Sequence, residues 1–303
     1  MQRSRPIDTP NDFIERTSEP PRLHVRARLR ELFAGREILV NLVRKELKVK
    51  YTASVLGTFW SLLNPVVFLA VFTFVVKILH SDIDDFPVFL LSGLLAWNLF
   101  SVSLNAGAQS VIANANLVKK VYFPREVLPL ATVGVALVDF ALQSLVFFAF
   151  MIVFGYGFVW RVLWLYPMAV VALLLLTTAV TLWVSALNVR YRDVQHLLSL
   201  GLLVWFWLTP IVYGAGPVHQ SMLDFADGGV WAWAVYLCNP VTWVVSGFQG
   251  ALYHSADAGT VLAPFTGAQL AIGLGAAIAL STLLLYVTWR AFFAMSGDFA
   301  EEL

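Results

Sequence analysis

From residue 60 onward the chain is built of long apolar runs separated by short polar breaks. The runs are Trp60–Leu79, Pro87–Ala113, Val127–Phe154, Leu165–Leu187, Leu197–Tyr213 and Ala268–Trp289. Most reach or approach the roughly 20 residues that a helix needs to cross a bilayer core. They lack the alternation of barrel strands. The pattern predicts an all-α polytopic membrane protein with six transmembrane helices in a domain covering 60–293. Asn64-Pro65 interrupts the first turns of the first span, because proline removes a helix hydrogen bond. The second span changes character halfway: Phe89–Phe100 is apolar apart from Ser92 and Asn98, whereas Ser101–Asn116 carries Asn105, Gln109, Ser110, Asn114 and Asn116. Such polarity is costly against lipid tails, so this half is expected to face other helices or an aqueous path. Asp139, in the third span beside Gln143, is the one acidic residue deep in a predicted span. Its two readings are a structural partnership with nearby polar groups and a role in transport.

Residues 214–267 are less regular. Two short apolar pieces flank Asn239-Pro240, and they predict re-entrant helices over 230–253 that dip in from outside. Such segments need protein or water over their free backbone groups. One continuous span over 230–252 is the alternative, and would place the C-terminus outside. Ahead of the first run, 1–21 reads as a mobile cytoplasmic tail. In 22–59, Leu29, Leu32, Phe33, Leu39, Val40, Val43 and Leu47 recur at three- and four-residue steps. Wound as one helix they fall in a stripe of about 120°. Arg36 falls within that stripe, and Ile38 and Leu42 outside it. This predicts an amphipathic helix lying along the inner membrane surface, its basic face on lipid phosphates. A solvated helix packed on a partner is the other reading. Residues 294–303 form a short inner tail.

Composition sharpens the picture. The chain is 59% hydrophobic and 13% charged, against roughly half and a quarter for a soluble domain. The net charge of +1 hides an asymmetry. With the N-terminus in the cytoplasm and six spans, eighteen of the twenty Lys and Arg face inward, leaving Lys77 and Arg161 outside. That distribution fits the positive-inside rule and puts both termini in the cytoplasm. The first fifty residues are polar, so the first span is expected to act as its own insertion signal. Cys238 is the single cysteine, and the five histidines form no pair at helical spacing, so no disulfide or metal site is expected. No phosphate-binding Gly-rich loop, zinc-binding His pair or nucleophile turn occurs. No catalytic residue is therefore assigned, and the energy for any transport must come from another chain. Nucleic acid is not an expected partner, since the basic residues track the topology. The aromatic clusters Trp97/Phe100 and Trp205/Phe206/Trp207 either pack and anchor the spans or line a path where flat rings stack on sugars.

The remaining polar break, Asn116–Pro129, joins a basic and aromatic knuckle to a rigid Pro-Arg-Glu turn. Its chemistry suits docking to another protein better than catalysis. Four stretches then occur in order: Arg44-Lys45-Glu46-Leu47-Lys48-Val49-Lys50-Tyr51 with Ser54–Trp60 and Asn64-Pro65; Asn116–Glu126; Arg190-Tyr191-Arg192-Asp193-Val194; and Asn239-Pro240-Val241-Thr242. Together they resemble the membrane subunit of bacterial polysaccharide ABC exporters, of the ABC-2 superfamily, over roughly residues 28–303. Members export O-antigen, teichoic acid or cell-wall galactan on a polyprenyl-diphosphate lipid. The resemblance implies a homodimer in the bacterial plasma membrane, served by two copies of a separate ATPase that binds ATP and Mg, with no cofactor in this chain. It implies an ATPase-coupling element of Lys119, Lys120, Tyr122, Phe123, Pro124, Arg125 and Glu126. It implies an interface or gate helix with Arg36, Arg44, Lys45, Lys48, Lys50 and Tyr51, whose cations guide a diphosphate head group. It also implies a path between protomers lined from Trp60, Asn64, Trp97, Asn98, Phe100, Asn105, Trp205, Phe206 and Trp207. The alternatives are a drug or lipid export permease of the same architecture, a membrane-embedded sugar transferase, which would need clustered acidic residues, and a secondary transporter, which would need an internal repeat.

Overall fold

The computed structural model describes residues 25–52, 63, 66, 67, 70, 71, 74, 83–121, 123–157, 160–224, 229–254, 258–262 and 264–303. The expected tail 1–21, most of the first span with Trp60 and Asn64, and Tyr122 lie outside the described residues. Among the described residues the fold is helical, without strands. Its elements are α1 (Val25–Ala34), α2 (Arg36–Thr52), α3 (Phe86–Ala113), α4 (Ala115–Lys120), α5 (Val127–Val153), α6 (Leu165–Arg190) and α7 (Val194–Trp207). They continue as α8 (Ala215–Asp224), α9 (Gly229–Leu237), α10 (Pro240–Leu252), α11 (Ala258–Val261), α12 (Gly267–Met295) and α13 (Phe299–Glu302).

Among the described residues, four helices are long and apolar enough to cross a membrane: α3, α5, α6 and α12, of 28, 27, 26 and 29 residues. Within the expected fifth span, α7 has 14 residues, about 21 Å of helix against a core of about 30 Å. Helix α6 is the hub, with α12, α3, α10 and α5 all packed on it. The most deeply buried element is α10, in which every residue from Val241 to Leu252 except Trp243 is buried. A helix that is apolar on nearly all sides belongs inside protein, and α10 sits among α3, α6 and α12. Its start follows from local chemistry: Asn239 Oδ1 accepts the Val241 N–H at 3.1 Å, and Pro240 lacks the donor that the first turn would leave unused. The same Asn239 accepts from Trp205 Nε1 at 2.9 Å and donates to Thr209 Oγ1 at 3.2 Å. The chain is therefore broken into α9 and α10 at Asn239-Pro240, and 230–252 does not run as one continuous helix.

The amphipathic segment departs from its expectation in two ways. It is interrupted at Gly35, between α1 and α2, where the Gly35 N–H is bonded to Glu31 O at 2.8 Å. The interruption shifts the helical phase, so α2 turns Leu39, Leu42, Val43, Glu46 and Leu47 inward, with Leu42 the most buried. Leu29, Phe33 and Val40, which a single helix would put in the stripe, are exposed. Moreover, α2 does not lie across the ends of the spans. It runs lengthwise beside α5: Val43 abuts Gly134, and further on Lys50 reaches Asp139.

Candidate functional site

Glu126, the last residue of the Phe-Pro-Arg-Glu turn, is wholly buried. Arg28 of α1 grips it with two parallel bonds, Nε donating to Oε1 at 2.9 Å and Nη2 to Oε2 at 2.8 Å. Trp289 Nε1, from α12, donates to Oε1 at 3.3 Å. The guanidinium also pairs with Glu31 and lies 4.9 Å from the Phe293 ring centre. Burial alone would lower the Arg28 pKa; the bonds and charges of Glu126 and then Glu31 together more than reverse this, and it is raised. Bidentate, charge-assisted bonds are the strong kind. One carboxylate thus joins the amphipathic segment, the start of α5 and the end of α12.

A second carboxylate repeats the device thirteen residues on, about 20 Å along α5. Asp139 Oδ2 accepts from Lys50 Nζ at 2.6 Å, and Oδ1 accepts from Tyr51 Oη. Asp139 is 5% exposed, so its charge is placed in a desolvated setting with a cation beside it. The two readings of Asp139 thereby gain named partners, Lys50 and Tyr51 of the amphipathic segment.

The expected coupling element splits into an outer and an inner part. Lys119 and Lys120 at the end of α4 are exposed, Pro124 and Arg125 half-buried, and Phe123 and Glu126 buried. Phe123 packs in a cluster with Val118, Val127, Phe292 and Phe299. An exposed docking face that includes Phe123 and Glu126 is therefore not what the chain builds, because both side chains are used to seat the turn. Beside the turn opens a groove of about 340 Å³, bordered by Arg28, Val121, Arg125 and Phe293.

On α2, Arg36, Arg44, Lys45, Lys48 and Lys50 are exposed and Tyr51 is half-buried. Glu46 was not singled out from sequence, yet it stands on the inward face between Val43 and Leu47, bordering a cleft against α3 and α5. A carboxylate flanked by residues of an apolar stripe is the signal that marks it. The polar half of α3 divides between two surroundings. Ser110 meets Ser185 at 3.3 Å and Asn188 donates to Ala108 O at 2.8 Å, binding one face to α6. Asn105 and Gln109 lie on the opposite, exposed face.

Three of the aromatic residues expected along a path are instead packed inside the chain. Trp97, Phe100 and Phe206 are buried, and edge-to-face pairs hold α3 to α7: Trp97 with Phe206 at 5.5 Å and Phe100 with Trp205 at 5.2 Å. Asn98 is buried too, in a long 3.4 Å contact with Gln143. Of the expected lining among the described residues, Asn105 and Trp207 are exposed and Trp205 is half-buried. The reason is helix rotation: both α3 and α7 are apolar around much of their circumference, so sequence alone does not select the face that packs.

This arrangement of apolar helices, basic turn and amphipathic segment has known relatives. A domain described as an ABC-2 type transporter matches residues 38–253. The chain belongs to the ABC-2 type transporter family. With several apolar helices of spanning length, this family member is a multi-pass inner-membrane protein. It is similar to the O-antigen export system permease protein RfbA of Myxococcus xanthus, 30% identical over 278 residues, which are 91% of this chain and 98% of that protein. Two proteins of Klebsiella pneumoniae with the same name are each 34% identical over 186 residues, 61% of this chain and 72% of theirs. The ABC-2 match begins inside α2, takes in the Asn116–Pro129 turn and α10, and ends just after α10.

Proposed function

We propose that this chain is the membrane subunit of an ATP-driven exporter that moves a polyprenyl-diphosphate-linked polysaccharide from the cytoplasm across the bacterial inner membrane. The observation that carries this reading is the similarity, across 91% of the chain, to a permease named for O-antigen export. A homodimer with two copies of a separate ATPase is the working unit, and ATP and Mg are bound by that partner. This chain supplies no catalytic group. Six spans, with the first over 60–79 and the fifth over 197–213, and α9–α10 re-entering from the outer side, agree with the inward placement of eighteen of its twenty Lys and Arg. Both termini then lie in the cytoplasm.

In this reading Lys119, Lys120 and Arg125, with the groove beside them, meet the ATPase, while Phe123 and Glu126 hold the turn in shape. A push on the turn reaches α1 directly through Glu126 and Arg28. It reaches the far end of α2 along α5, which is tied there by Asp139. The exposed Arg36, Arg44, Lys45 and Lys48 attract the diphosphate by charge while the lipid tail stays in the bilayer. In the native host, deleting the gene is expected to abolish surface polysaccharide and leave lipid-linked chains on the cytoplasmic face, with recovery on complementation. Unchanged surface polysaccharide in the deletion strain would remove the reading.

A further inference from the structure

The exposed face of the polar half of α3, formed by Asn105, Ala106, Gln109 and Ala113, borders a cleft of about 410 Å³. Its other walls are Leu42 and Glu46 of α2 and Leu128, Ala131 and Thr132 of α5. That volume falls in the range of small-molecule sites, about 300–1,000 Å³. The hydrogen-bonding state of the walls decides what fits. Asn105 Nδ2 donates to Ser101 O at 2.9 Å, and Asn114 Nδ2 to Ser110 O at 2.8 Å. The hydroxyls of Ser110 and Thr132 donate back to Gly107 O at 2.7 Å and Pro129 O at 2.8 Å. One N–H of each asparagine and both hydroxyl protons are thus spent on the helices' own backbone. That leaves the second N–H of each asparagine and a majority of acceptors: the two asparagine oxygens, the Thr132 hydroxyl lone pairs and the Glu46 carboxylate. Glu46 Oε1 lies 3.2 Å from Lys45 Nζ, and Oε2 has no such partner among the described residues. Gln109 contributes both kinds of group. Among the described residues no Lys, Arg or His lines the cleft. Walls that are rich in acceptors, with a few amide donors, disfavour a phosphate and favour a ligand that presents many hydroxyls, each able to donate and accept.

We propose that this cleft is a subsite for the neutral, hydroxyl-rich sugar units of the transported chain, a proposal that rests on the exporter reading above. The lipid diphosphate and the sugars then use opposite sides of α2: its exposed cations take the charged group, and its Glu46 side, with α3, takes hydroxyls. Asn105, Gln109 and Glu46 bind sugar in passing, so each contact is weak enough to be exchanged as the chain advances.

The test uses the full chain in cells that make the native polysaccharide. A photoreactive p-benzoylphenylalanine replaces Gln109, Ala106 or, as a control on the outward side of α5, Leu145, which is 66% exposed. Irradiation is expected to give adducts at 106 and 109 that carry polysaccharide, seen as a periodate-stained smear, and none at 145. A second copy of the protein as the sole adduct at 106 and 109, or no adduct there in cells that still display surface polysaccharide, overturns the subsite. Asn105→Leu with Gln109→Leu is expected to lower export at least tenfold without reducing the chain's level in the membrane, and parental export by that variant also overturns it. Failure of the exporter reading shows separately, as surface polysaccharide that persists when the gene is deleted.

Discussion

Glu126 commits a carboxylate to full burial, and only the two-pronged grip of Arg28, with Trp289 behind it, makes that tolerable. A buried ion pair adds little net stability when compared with an apolar pair of the same size, yet removing one partner leaves an uncompensated charge. That asymmetry gives a specific expectation. Glu126→Gln keeps the shape but leaves the Arg28 guanidinium with Glu31 as its one carboxylate partner, so the cost is expected to fall below the about 3–5 kcal/mol of breaking a fully buried pair. The double replacement Arg28→Met with Glu126→Leu is expected to recover most of that loss. Thermal unfolding of the detergent-solubilised chain, with Arg28→Met, Glu126→Leu and their combination as a double-mutant cycle, measures it. Simple additivity of the two single changes would show that the pair is not an energetic unit. The sequence displayed Glu126 as part of a polar turn, and polarity there argued for a surface role. What it concealed was Arg28, ninety-eight positions away, because an arginine in an amphipathic segment looks the same whether it faces phosphate or carboxylate.

The helices show which parts of the fold periodicity can and cannot reveal. The long apolar runs at 87–113, 127–154, 165–187 and 268–289, where α3, α5, α6 and α12 form, were plain in the sequence, since length and apolarity are local properties. The facing of α2 was not, because reading it required a phase, and Gly35 resets the phase between α1 and α2. The break at Asn239-Pro240 was legible from its turn chemistry, but the depth of α10 was not, since burial depends on what other helices bring to it. One such neighbour is α12, where two glycines make opposite predictions. A Cβ at Gly273 would lie 1.9 Å from the Trp243 ring, and that ring is pinned by its Nε1 bond to Leu237 O at 2.9 Å. A Cβ at Gly275 would meet nothing within 4 Å. Gly273→Ala is therefore expected to destabilise by roughly 1–3 kcal/mol through overpacking. Gly275→Ala is expected to be neutral or to stabilise by up to about 1 kcal/mol through helix propensity. Melting temperatures of the two variants settle it, and equal shifts would mean that α10 does not press on α12 as described.

At the scale of the whole molecule, the C-terminal segment changes the most from its reading as a short inner tail. Residues 299–302 form α13, which packs on α4 and α6. Phe299 is buried with Phe292, meeting its ring edge-to-face at 5.4 Å, and shares a cluster with Val118 and Phe123. The end of the chain is thus a brace under the basic turn. Sequence gave little hint of this, because one phenylalanine in a polar tail has no period to read. The brace and the exposed cations should fail differently. Charge reversal at Lys119 and Lys120, both exposed, is expected to abolish co-purification of the ATPase with no change in melting temperature, since exposed charges contribute little to folding. Phe299→Ala leaves a cavity beneath the turn, and a truncation of that size in a packed site costs about 3–5 kcal/mol. Because α13 lies at the edge of the bundle, the loss is expected to fall on the local seating of the turn: the variant still reaches the membrane, but the turn becomes open to protease and ATPase association weakens. Restoring bulk with Phe299→Leu is expected to recover association in part. Parental ATPase association and protease resistance in Phe299→Ala would show that the turn stands without the brace, and that its shape comes from Glu126 and Phe123 alone.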